Sequence, residues 1–128
     1  MFKGRIIGPI AVTANTNIPI ASVFNTNTNI LHIGPTMSIL KPGLYEVNVT
    51  ANAEGVTEEV ALNLLNNDTA IPGDTSPAVP AAATDPARFV INDTLKVESQ
   101  VFSSVRLSLQ FTEDITVNDL IITIKKIR

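Results

Sequence analysis

The sequence predicts an antiparallel all-β domain, a sandwich or barrel of about eight to ten short strands. Apolar residues recur at period two along most of the chain, and Gly, Pro, Asn and Asp interrupt that alternation at short intervals. Val, Ile and Leu far outnumber the five Phe and single Tyr, and there is no Trp. Such β-branched residues suit a pleated, half-buried surface. A length of 128 residues fits one domain spanning residues 1–128 around one core. With 45% hydrophobic residues and a net charge of −3, the composition excludes a disordered chain.

Taken in order, Arg5 to Val12 and Ile18 to Phe24 read as strands separated by Thr13-Ala-Asn-Thr-Asn17. The Asn- and Thr-rich segment Phe24 to Ile33 predicts a short strand or an irregular connection, because these side chains bond to nearby backbone. Lys41-Pro42-Gly43 signals a turn and launches Leu44 to Ala53. There Tyr45, Val47, Val49, Ala51 and Ala53 share one face, and Glu46, Asn48, Thr50 and Asn52 the other, which sets the register of a half-buried strand. Glu58 to Leu65 predicts another strand that turns at Asn66-Asn67-Asp68. A helix over Val56 to Leu65 is the competing reading, since Glu58, Glu59, Ala61 and Leu62 are fair helix formers.

Ile71 to Ala87 holds four of the eight prolines and five alanines. It predicts the longest loop, with one short helical turn at Pro80 to Ala83, since proline cannot pair within a central strand. Arg88 to Ile91, Leu95 to Phe102, Val105 to Phe111 and Val117 to Ile127 complete the strands. Asn92-Asp-Thr94 and Thr112-Glu-Asp114 read as hairpin links between them.

Charge is unevenly distributed. Lys3, Arg5, Lys125, Lys126 and Arg128 supply five of the nine cationic residues, and the body from Ile6 to Ile124 holds four cations against twelve acids, a balance of −8. This predicts a body that repels nucleic acid and a small basic patch at the joined termini. No window carries the roughly 18 apolar residues that a membrane helix needs. The opening segment breaks at Gly8-Pro9 before any signal-peptide core, so synthesis in the cytoplasm without an export address is expected.

The chemistry-bearing inventory is thin. Without Cys there is neither disulfide nor thiolate metal site, and a single imidazole, His32, rules out a multi-histidine centre. His32 lies between Leu31 and Ile33 in a predicted strand and reads as structural. Glu58-Glu59 and Glu113-Asp114 are adjacent residues, which point to opposite faces of a strand. Asp68, Asp74, Asp85, Asp93 and Asp119 are scattered without a calcium-loop spacing, and no glycine-rich phosphate cradle exists. The triplets at Asn48, Asn67 and Asn92 match the glycosylation pattern, which chance explains in a chain this rich in Asn and Thr. No cofactor, no metal and no enzymatic activity are expected.

Pro42-Gly43-Leu44-Tyr45-Glu46-Val47-Asn48-Val49 and the closing strand Leu120-Ile-Ile-Thr-Ile-Lys-Lys-Ile127 resemble, in order and spacing over residues 35–128, the tumour necrosis factor-like jelly roll. Small versions of that fold resemble bacteriophage virion proteins such as head decorations, head fibres and fibre tips. The resemblance implies an antiparallel jelly-roll sandwich and a homotrimer of protomers packed side by side. Its first and last strands are neighbours in one sheet, which would gather Lys3, Arg5, Lys125, Lys126 and Arg128, either as ordinary solubilising charges or as a docking patch for an acidic assembly partner. It also implies a structural virion component, a capsid decoration or head-fibre protein held on a major capsid protein. The alternative is a receptor- or carbohydrate-binding module at a fibre or baseplate tip. In that case the 71–87 loop, with Asp74, Pro77, Pro80 and Asp85, would meet a host surface glycan. Two departures are the low aromatic content and the length of the proline-alanine loop.

Overall fold

The computed structural model describes residues 1–26, 29–54, 59–78, 86–98 and 105–128. Ten strands run through them: β1 (Phe2–Val12), β2 (Ala21–Asn25), β3 (Ile30–Ile33), β4 (Thr36–Ile39), β5 (Gly43–Ala53), β6 (Val60–Asn66), β7 (Thr69–Ala78), β8 (Ala87–Val97), β9 (Val105–Phe111) and β10 (Ile115–Lys126). They form two five-stranded sheets ordered β2-β1-β10-β5-β8 and β3-β4-β9-β6-β7, with every pairing antiparallel.

Alternation explains why the sheets stack. Along β5, Tyr45, Val47, Val49, Ala51 and Ala53 are fully buried, as the sequence pattern predicts. They face Leu62 and Leu64 of β6 and Leu107, Leu109 and Phe111 of β9 in one continuous core. Each fully buried aliphatic side chain contributes roughly 1.5–3 kcal/mol relative to exposure. Phe89 of β8 meets Phe111 of β9 edge to face at 5.0 Å, so one aromatic pair bridges the two sheets.

Turn chemistry sets the hairpins. Asn67 and Asp68 have φ of 50° and 66° between the paired residues Asn66 and Thr69, a two-residue loop in the left-handed region that Asn and Asp tolerate. Gly34, with φ of 56°, performs the same service between β3 and β4.

The sequence and the structure differ in six places, the first being that Thr112-Glu113-Asp114 is no hairpin link, since it joins β9 of one sheet to β10 of the other. The 71–87 stretch is not a single loop: β7 runs to Ala78 and β8 begins at Ala87. β7 is an edge strand, where a missing N–H need not break a ladder; Pro72 falls in the register break opposite β6 and Pro77 sits across from Ala61. The helical turn expected at 80–83 lies outside the described residues. Asn92-Asp93-Thr94 makes no hairpin link, since β8 continues through it and pairs with β5 at Asn48, Val47 and Glu46. The strand expected from Leu95 to Phe102 is instead the end of β8, and residues 99–104 lie outside the described ones. The strand expected from Ile18 begins only at Ala21: Ile18 and Ile20 are buried but precede it, and there the Ile18 N–H donates to the Leu109 carbonyl at 2.9 Å. Thr36–Ile39, which is not among the predicted strands, forms β4. Between strand and helix for the segment before Asn66, the strand is found from Val60 onward.

Candidate assembly surface

Residues of opposite parity to the core lie on the outer face of the β2-β1-β10-β5-β8 sheet. The pairings place Lys3, Thr123, Asn48 and Asn92 in one row across β1, β10, β5 and β8. A second row is Arg5, Ile121, Thr50 and Val90, and a third is Ile7, Asp119, Asn52 and Arg88. Neighbouring strands lie about 4.8 Å apart, so each row crosses roughly 15 Å.

The two ends of the chain meet on this sheet. β1 pairs with β10, and Phe2 opposes Ile124, which sets Lys3 beside the last turn of residues. The C-terminus is stitched to the start of β5: the Leu44 N–H donates to the Arg128 carbonyl at 3.2 Å, and the Ile127 N–H donates to the Leu44 carbonyl at 2.7 Å. Gly43 makes this possible, because a Cβ there would lie 2.4 Å from the Arg128 carbonyl oxygen and 2.7 Å from Lys126 Cε.

The five terminal cations are not equivalent. Arg5 is engaged by Asp119, its Nε donating to Oδ1 at 3.3 Å. Lys125 opposes Glu46 in the ladder, and that carboxylate also accepts from Asn48 Nδ2 at 2.8 Å. Lys3, Lys125, Lys126 and Arg128 have no ion pair among the described residues.

What composition alone did not reveal is an apolar component of this face. Ile7 is 74% exposed and Val90 41% exposed, with Ile121 half-buried between them in the rows above. The signal was present in the sequence as broken alternation. Ile6-Ile7, Leu120-Ile121-Ile122 and Phe89-Val90-Ile91 each place an extra apolar residue on the face that period two assigns to solvent. Along the neighbouring edge, every residue of β2 is exposed, including Val23 and Phe24.

At the opposite edge, the residues expected for recognition separate. Pro77 is exposed on β7, whereas Asp74 is buried, and Pro80 and Asp85 lie outside the described residues. His32 packs edge-on against Phe2 with ring centroids 5.3 Å apart. Among the described residues no group of three or more His, Cys, Asp or Glu is placed to hold a metal ion, and no helix is long and apolar enough to cross a membrane.

No family model matches the sequence, and no curated protein matches it. The fold has clear counterparts among solved structures. Murine APRIL at pH 8.5 superimposes with a TM-score of 0.70 at 7% identity, covering 97% of this chain and 98% of that one. The fold is a tumour necrosis factor-like jelly roll. The PRD1 vertex protein P5 matches with a TM-score of 0.64 at 18% identity, over 99% of this chain and 96% of that one. A second structure of murine APRIL, at pH 8.0, matches at 0.63 and 8% identity, covering 97% of this chain and 98% of that one. At these identities the likeness concerns the fold alone.

Proposed function

We propose that this chain is a structural virion protein of the phage type, a homotrimeric jelly roll that decorates a capsid or forms part of a head fibre on a major capsid protein. The observation that carries this reading is the end-to-end likeness to the PRD1 vertex protein P5, 99% of this chain against 96% of that one. The outer face of the β2-β1-β10-β5-β8 sheet supports the trimer. Ile7, Ile121 and Val90 give it an apolar patch inside a polar surround, the composition of a protomer interface. In a three-fold ring each protomer offers one face and receives a different one, so this sheet face would meet the edge of the next copy. The terminal cations Lys3, Lys125, Lys126 and Arg128, without an ion pair among the described residues, offer an attachment to an acidic capsid surface that weakens with salt.

Light scattering on purified protein tests the assembly. The expected mass is three times that of the 13.7 kDa chain, and the double substitution Ile7→Asp with Val90→Asp should release monomers. Co-sedimentation with capsids assembled without this protein tests the attachment. A strict monomer at micromolar concentration that leaves capsids bare would overturn the reading.

A further inference from the structure

β7 and β8 are the edge strands of opposite sheets, and they pack against each other along one open seam of the sandwich. Across that seam the Val90 N–H donates to Ser76 Oγ at 3.0 Å. Further along, the carboxyl of Asp74 on β7 lies within hydrogen-bonding reach of the carboxyl of Asp93 on β8. Asp74 is only 5% exposed, and its Oδ2 accepts no hydrogen bond from any described residue. Asp93 already has one oxygen bonded to the Thr94 N–H at 2.8 Å. The inward turn of Asp74 follows the β6/β7 register break between Asn63 and Leu65, where Gly73 adopts φ of 85°.

No described cation faces this pair. β6 presents Asn63 and Asn66, which do not titrate, and Glu59 lies exposed before it. On β5, Asp93 opposes Val47; Glu46 turns to the outer face, and the Tyr45 hydroxyl is held by the Lys41 carbonyl at 2.8 Å. Arg88 and Lys96, on β8 itself, are exposed on the outer face. Two ionised carboxylates here would repel each other and leave a buried oxygen without a donor, a costly arrangement. One proton between them supplies that donor.

We propose that Asp74 and Asp93 form a proton-shared clasp that ties the two sheets together at the β7–β8 seam and loosens it when the pair loses its proton. Burial, reinforced by the hydrogen bond to Asp93 and by its charge, pushes the Asp74 carboxyl up to about 7. The sign follows from linkage. The folded chain holds a proton that the unfolded chain, with an ordinary carboxyl near 3.8, has already lost. The clasp therefore stabilises fully below about pH 4, and that stability is lost as pH rises through about 7.

The test is urea unfolding of the full chain at a series of pH values, together with carboxyl-carbon NMR. In the wild type the folding constant should fall with a slope approaching tenfold per pH unit between about pH 5 and 7. In Asp74→Asn the amide always carries a donor for Asp93, and this component of the slope should vanish. The NMR titration should show the Asp74 carboxyl losing its proton with a midpoint near neutrality. If Asp74→Asn does not fold, Asp93→Asn and the wild-type titration decide the matter. Equal slopes in wild type and variant, or both carboxyls ionising below pH 5, would overturn the clasp. So would stoichiometric binding of added calcium at pH 8 that restores the lost stability, since the seam would then be a cation site.

Discussion

Arg5 Nε and Asp119 Oδ1 meet at 3.3 Å on the outer face of the sheet, joining the first and last strands through side chains as well as backbone. Both side chains are about a third or more exposed, at 41% and 34%, so solvent screens the pair and its worth is about 1 kcal/mol or less. Asp119→Asn should shift the urea midpoint only slightly at low salt, and high salt should erase the difference. Its larger effect is on the surface: it frees a guanidinium for any acidic partner, so capsid co-sedimentation should strengthen while stability barely changes.

Tyr45 is fully buried, and its hydroxyl donates to the Lys41 carbonyl at 2.8 Å, closing the turn that launches β5. Burial also raises the phenol above its ordinary value, which keeps it a donor across the working range. Tyr45→Phe keeps the ring and removes the bond, with an expected cost of about 1 kcal/mol. Tyr45→Ala also opens a cavity and should cost about 3–5 kcal/mol, by analogy with other large aromatic truncations. Urea unfolding separates the two contributions.

The edge-to-face pair of Phe89 and Phe111 makes a different prediction, because each ring belongs to a different sheet. A double-mutant cycle with Phe89→Leu and Phe111→Leu should give a coupling of about 0.5–1.5 kcal/mol beyond the area each ring buries. Coupling near zero would mean that the rings act as independent filler.

How much of this was legible in the sequence depends on whether a feature is set by parity or by partners. The inward set Tyr45 to Ala53 was readable because side-chain direction in a strand has period two. The extent of β8 was not, since Asn92-Asp93-Thr94 favours turns locally and only pairing with the whole length of β5 overrides it. The proline rule misled at β7 because it applies to central strands, and nothing local shows that β7 is an edge. For the candidate assembly surface, the terminal cations were visible as a charge asymmetry, but the capture of Arg5 by Asp119 required the β1/β10 register. The Asp74–Asp93 contact was illegible, because it joins strands of opposite sheets whose packing no local pattern encodes.

Glycines 8 and 34 give the last prediction, because they are required for opposite reasons. A Cβ on Gly8 would lie 2.1 Å from the Val117 carbonyl oxygen and 2.9 Å from the Ile10 nitrogen. Both are backbone atoms, and Gly8 sits in the register break of β1 against β10, so neither contact is relieved by a rotamer change. Gly34 has open space around its Cβ position and is constrained only by φ of 56°. Gly34→Ala should therefore cost about 1–2 kcal/mol of left-handed backbone strain. Gly34→Asn should cost less, since Asn tolerates that region. Gly8→Ala, which must displace a paired strand, should cost as much as overpacking a core, about 1–3 kcal/mol or more. It should also weaken the proposed trimer, because the displaced segment carries Ile7. Urea unfolding and light scattering on the three variants check the ranking: a Gly8→Ala protein as stable as the wild type and of the same mass in light scattering would show that the β1/β10 break has slack.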